Sequence, residues 1–137
     1  MRNNIVLNEP LSRHTSWKVG GPADIFFTPN DRKDLSDFLK SNDCIITWLG
    51  NGTNILVRDA GIRGAVISTR KSFNKIELID QSNYLVEVGV SCFELAMYAT
   101  KNNFGPAAFF SGIPGSIGGC LLYTSPSPRD SSASGYA

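Results

Sequence analysis

Histidine is nearly absent from this chain: His14 stands alone, which excludes any multi-histidine metal site. Between Arg13 and Thr15 in a polar stretch, it reads as a surface or hydrogen-bonding residue rather than a catalytic base. Cysteine is scarce as well. Cys44, Cys92 and Cys120 are an odd, widely spaced set that makes neither a metal pattern nor a disulfide framework. Cys44 opens an apolar strand and Cys92 sits in a helical pattern, so both are expected as small core residues. No sign of charge dominates, since 13 basic side chains against 12 acidic ones leave a net +1. Without a basic patch, nucleic acid is not an expected partner. Long apolar runs are missing too. Nothing approaches a membrane span, and Ile5–Leu7 is too short for the core of a signal peptide. The expectation is a cytoplasmic protein with no membrane partner. What remains, 137 residues at 42% hydrophobic and 18% charged, suffices for one globular domain with a real core.

The stretch Ile45 to Asn54 organises the rest. Its first half, Ile45-Ile46-Thr47-Trp48-Leu49, is β-branched and aromatic, as a buried strand should be. It then breaks into Gly50-Asn51-Gly52-Thr53-Asn54. The glycines allow the backbone to turn with φ > 0 and leave no Cβ to hold a ligand away. Successive N–H groups in such a turn converge on an anion, with Thr and Asn side chains as neutral donors. A strand running into this turn suits a diphosphate. Taken by itself, an ordinary tight turn is the simpler reading, because short glycine motifs arise often by chance.

Upstream, Gly20-Gly21-Pro22 ends one element and permits a sharp turn. Ala23–Thr28 reads as a strand closed by Pro29, and Asn30 or Asp31 caps a helix over Arg32–Ser41 with Leu35, Phe38 and Leu39 on one face. With the Trp48 strand this makes a strand–helix–strand unit of βαβ size. Downstream, Gly61–Gly64 marks a turn and Ala65–Ser68 a short strand. Lys75–Ile79 and Tyr84–Gly89 form a strand pair, the second reading as buried on most of its faces because Leu85, Val86 and Val88 are apolar. Ser91 and Glu94 make a capping box for a helix to about Asn102, with Phe93, Ala96, Met97 and Thr100 as its packing stripe.

A second glycine-rich stretch follows, from Phe109 and Phe110 through Gly112, Pro114, Gly115 and Gly118 to Gly119. It is expected as a loop holding backbone amides near something flat or phosphorylated, or as a mere connector. Two such loops in one small domain shift the balance toward ligand binding. Beyond them Tyr123–Ala137 is rich in serine and proline, with almost no aliphatic content, and is expected to be disordered.

Four strings in register carry a resemblance. His14–Asp24, Leu49–Asn54, Gly61–Gly64 and Ser111–Gly119 together resemble the N-terminal, FAD-binding part of the UDP-N-acetylenolpyruvoylglucosamine reductase (UDP-N-acetylmuramate dehydrogenase) family, over roughly residues 5 to 119. The resemblance implies an α+β, FAD-binding fold of the vanillyl-alcohol oxidase (PCMH) type: the first lobe and the start of the second, truncated. It implies that Gly50, Asn51, Gly52, Thr53 and Asn54 wrap the FAD diphosphate. Gly112, Ile113, Pro114, Gly115, Ser116 and Gly118 would lie along the flavin and diphosphate from the second lobe. In that family NADPH reduces the flavin, which passes hydride to the enolpyruvyl double bond of a UDP-sugar for peptidoglycan synthesis. A serine, an arginine and a glutamate complete the chemistry, and none of these has a counterpart in this chain. The protein itself supplies orientation and electrostatics.

After Gly119 the resemblance stops. Cys120-Leu121-Leu122-Tyr123-Thr124-Ser125-Pro126-Ser127-Pro128-Arg129-Asp130 looks like a translated sequencing adapter, so residues 120–137 are expected to be a non-native or disordered tail on a partial domain spanning 1–119. The chain is then expected to hold half an FAD cradle, bind FAD weakly or not at all and reduce no substrate. Two other readings stay open: another flavin oxidoreductase of the same fold, and a non-catalytic nucleotide-binding module. The oligomeric state is not readable.

Overall fold

The computed structural model describes residues 4–121. Residues 122–137, with nearly all of the expected tail, lie outside the described residues.

A four-stranded sheet carries the first lobe. In chain order it contains β1 (Ile5–Pro10), β2 (Pro22–Phe27), β3 (Ile46–Leu49) and β4 (Ile62–Ser68), arranged in space as β1-β2-β4-β3. β1 runs antiparallel to β2, whereas β4 is parallel to both β2 and β3. The helix α1 (Arg32–Ser41) connects β2 to β3, so the expected crossover unit forms with β4 inserted between its two strands. β1 was not expected from the sequence.

Both faces of this sheet are covered, which explains the unbroken apolar runs in β2 and β4. Neighbouring residues point to opposite faces. Phe26 and Val66 join Leu11, Ala23, Leu49 and Val57 in one cluster, while Phe27 and Ile67 join Phe38 and Ala65 in another. Asp31 caps α1 by accepting the Asp34 N–H at 2.7 Å. Phe38 stacks on Phe27 at 4.1 Å between ring centroids and is fully buried. Leu35 packs partly against the same cluster, but Leu39, expected on that face, is exposed. The stripe is narrower than the apolar pattern suggested.

The expected turn at Gly61–Gly64 is largely strand, since β4 begins at Ile62, which pairs with Ala23. Gly64 takes φ +86° within it, and the register slips between Ala23 and Ile25. Asp24 spans the irregularity: one carboxylate oxygen accepts the Gly64 N–H at 3.0 Å, the other meets Arg63 Nη1 at 2.8 Å. Two of the sequence strings that carry the resemblance are therefore braced against each other.

The second lobe contains the antiparallel pair β5 (Ile76–Leu78) and β6 (Tyr84–Val86), then α2 (Cys92–Lys101) and a short α3 (Ile117–Gly119). Both strands are shorter than expected. Leu85 and Val88 are about half exposed rather than buried, because this two-stranded sheet is covered on one side only. In the turn between the strands, the Ser82 N–H and the Asn83 amide hold the Asp80 carboxyl below its usual range. The capping box of α2 forms as expected, with Ser91 Oγ accepting the Glu94 N–H at 3.0 Å and Glu94 Oε2 accepting the Ser91 N–H at 2.9 Å.

Its buried face is a correction. Cys92, Leu95, Ala96 and Ala99 face the core; Phe93 and Met97 are exposed. Small residues win because α3 and the segment before it pack closely there, with Ile117 and Cys120 in the same cluster as Cys92 and Leu95. The second glycine stretch is also more ordered than the expected loop. Gly105–Gly112 winds as a 3₁₀ helix, and Ser116 caps α3 by accepting the Gly119 N–H at 3.2 Å. Cys44 is half-buried beside the Phe38 cluster and Cys92 is buried, as expected.

Candidate functional site

β3 delivers the chain to Gly50, and local contacts then fix the turn. The Thr69 N–H donates to Leu49 O at 3.1 Å, and the Ser16 N–H donates to Gly52 O at 2.9 Å. Gly52 has φ +69°, and a Cβ there would stand 1.9 Å from His14 O. Only glycine meets both demands. His14 is held in turn by Glu9 Oε1 at 2.8 Å and lies stacked on Phe26 at 4.2 Å. Its part is to support the turn, in keeping with the hydrogen-bonding residue expected.

The opposite wall is built from the second lobe. The Cys92 N–H donates to Gly115 O at 3.0 Å, and the Ile117 N–H donates to Val90 O at 2.8 Å. These bonds clamp Gly115 and Ser116 beside the first turn of α2. The two walls touch: a Cβ on Gly50 would lie 2.4 Å from Ser116 Oγ, and one on Gly115 would lie 3.0 Å from Thr53 Oγ1.

Between the walls is a cavity of about 580 Å³, within the usual range for small-molecule sites. Gly50, Asn51, Gly52, Thr53 and Asn54 line one side; Ile113, Pro114, Gly115 and Ser116 line the other. The structure thus brings both glycine turns to a single space. Gly112 and Gly118 do not join them. Gly112 faces open space, whereas Gly118 presses on Val88 and gives its N–H to Val88 O at 3.0 Å. That amide is committed to the fold. Thr47, Trp48, Leu49, Ile55, Gly119 and Cys120 also border the cavity and were not singled out from the sequence.

The lining contains no Asp, Glu, Lys or Arg. Its polar groups include backbone amides, the Asn51 and Asn54 carboxamides and the Thr47, Thr53 and Ser116 hydroxyls. Among the described residues, the amides of Asn51, Gly52, Thr53 and Asn54 find no acceptor. Free donors on a glycine turn, with no carboxylate to repel an anion, fit a diphosphate. Apolar Ile55, Ile113 and Pro114 fit an adjoining flat ring. The arrangement therefore suits a dinucleotide such as FAD. No group of three or more His, Cys, Asp or Glu suited to a metal occurs among the described residues. No described helix is long and apolar enough to cross a membrane.

Behind the cavity-lining Cys120, the buried Cys92 brings its sulfur to 3.4 Å from that of Cys120. Burial, and then the neighbouring Cys120, pushes the Cys92 thiol up to about 12.

An α+β fold with such a cradle between its lobes defines a flavin dinucleotide-binding protein, and the chain belongs to the FAD binding domain family, whose model matches residues 23–133. Within it the chain is similar to UDP-N-acetylenolpyruvoylglucosamine reductases. It is 41% identical over 125 residues to that of Desulforamulus reducens, covering 89% of this chain and 41% of the relative. It is 44% identical over 116 residues to that of Methylococcus capsulatus, covering 83% and 38%. The crystal structure of UDP-N-acetylenolpyruvylglucosamine reductase from Thermus caldophilus superposes with a TM-score of 0.69 at 28% identity, over 93% of this chain and 44% of that one. The chain spans about two fifths of the length of these relatives.

Proposed function

We propose that this chain is the diphosphate-holding part of an FAD- and NADPH-dependent UDP-N-acetylenolpyruvoylglucosamine reductase, an enzyme of peptidoglycan synthesis working in the cytoplasm on a nucleotide-sugar substrate. The observation that carries the reading is the shared cavity, with free amides of Asn51–Asn54 on one wall and Gly115 and Ser116 on the other.

In this reading the Asn51–Asn54 amides and the Thr53 hydroxyl bind the diphosphate, while Ser116 and Gly115 hold the facing wall in place. Ile113 and Pro114 exclude water from the ring lying beside it. Bound FAD supplies hydride transfer, and the chain's own residues position it. Gly118 acts through the fold, pressed against Val88, and Gly112 is left open toward the flavin side of the ligand. The serine, arginine and glutamate that complete the family's chemistry have no assigned residue here.

The 137-residue chain acting alone is proposed to bind FAD weakly and to reduce nothing. Residues 120–137 are proposed to be foreign to the gene, and resequencing the locus beyond the Gly119 codon tests this: an intact frame encoding the same tail would refute it. For the function, FAD is added to the purified chain and flavin fluorescence is followed, with NADPH consumption measured in parallel. Saturable quenching without NADPH consumption is expected. Turnover by this chain would overturn the proposal.

A further inference from the structure

Thr47, Trp48 and Leu49 all border the cavity, although consecutive strand residues point to opposite faces of a sheet. A cavity over one face would meet alternate residues only. This one runs along the strand's edge, and β3 is the outermost strand of its sheet.

The backbone groups on that edge can be identified. The Ala65 N–H donates to Ile45 O at 2.9 Å and the Thr69 N–H to Leu49 O at 3.1 Å. In a parallel ladder, alternate residues of a strand serve the same neighbour. With Trp48 registered opposite Ile67, residues 45, 47 and 49 turn their N–H and C=O groups to β4. Trp48 turns both of its groups the other way, off the free edge. Its indole is engaged elsewhere, against the cluster of Phe27, Phe38 and Ile67. What Trp48 offers the cavity is therefore one donor and one acceptor, side by side on extended backbone.

Resting on the FAD reading above, we infer that the Trp48 N–H and C=O are a two-point reader for the edge of a flat heterocycle carrying an acceptor beside a donor. Adenine presents that pattern at N1 and its 6-amino group. The pyrimidine ring of a flavin presents it at a carbonyl oxygen and N3–H. Trp48 is placed to align such a ring two residues ahead of the turn that holds the diphosphate. Because the contact is made by backbone, it fixes the ring's orientation without a specific side chain.

The test is a titration of the ¹⁵N-labelled 137-residue chain with ADP and, separately, with FMN, reading assigned backbone amides. The expected result is that the Trp48 amide moves with those of Asn51–Asn54 for one of the two ligands, which identifies the ring that is read. The matching altered ligand is then compared: inosine diphosphate, which exchanges donor for acceptor at the ring edge, or N3-methyl FMN. It is expected to bind about tenfold more weakly and to leave the Trp48 amide still, since a mismatched buried hydrogen bond forfeits most of its worth. If ADP and FMN both shift Asn51–Asn54 but leave Trp48 unmoved, or the altered ligand binds equally well, the inference is overturned and the diphosphate cradle stands. If neither ligand moves Asn51–Asn54, both fall together.

Discussion

Gly50 lies against Ser116 so closely that a Cβ on the glycine would stand 2.4 Å from the serine hydroxyl. This contact joins the end of β3 in the first lobe to the cap of α3 in the second. Gly50→Ala forces the Ser116 side chain to turn and give up the Gly119 N–H that it accepts at 3.2 Å. We expect the fold to persist while FAD affinity drops several-fold, read by fluorescence titration. Gly105→Ala is the control: a Cβ there meets nothing within 4 Å, and affinity should not change.

Gly52 is constrained differently. With φ +69° and His14 O at 1.9 Å from a would-be Cβ, Gly52→Ala meets both backbone strain and a backbone clash. A loss of about 1–3 kcal/mol in stability is expected, measured by urea unfolding. An unchanged midpoint would mean that the turn is not held as described.

The capping box of α2 contributes locally. Ser91→Ala removes the acceptor for the Glu94 N–H and should cost about 1 kcal/mol. The backbone bridge between Ser91 and Ser116 does not use the Ser91 hydroxyl, so FAD affinity is expected to change little while stability falls, read by urea unfolding beside fluorescence titration.

Cys92 sets a pH limit. Its thiol is pushed up to about 12 from the 9.0 of an exposed cysteine, first by burial and then by Cys120. Above pH 9 the unfolded chain releases this proton while the folded chain keeps it. The contribution is thus complete below pH 9 and lost as pH rises from there toward 12. Urea midpoints measured at pH 8 and pH 10 should fall, and Cys92→Ala should flatten the fall across that same window.

Much of the first lobe was legible because local signals agree with one another. Asp31 caps, Phe38 faces inward, and α1 spans Arg32–Ser41 as the pattern suggests. β1 was not legible: Ile5-Val6-Leu7 is too short a signal amid polar neighbours, and its pairing with β2 is a long-range choice. The apolar pattern of α2 points to the other face because Phe93 and Met97 carry more apolar weight than Cys92, Ala96 and Ala99. Close approach to α3 selects the small residues instead.

In the site, glycine composition identified the turns but not what each glycine does. Gly52 and Gly115 take positive φ beside the cavity; Gly118 is small because Val88 lies against it. The part played by Thr47–Leu49 depends on β3 being an edge strand. Strand order is a property of the whole sheet, so no local pattern reveals it.

The most direct test of the cradle is to titrate the ¹⁵N-labelled chain with FAD and follow the amides of Asn51–Asn54 together with those of Gly115 and Ser116. Both sets are expected to shift along one saturation curve, with weak affinity and a single site. Movement of one set without the other, or stillness of both at the highest FAD concentration reached, would contradict a ligand shared between the two turns.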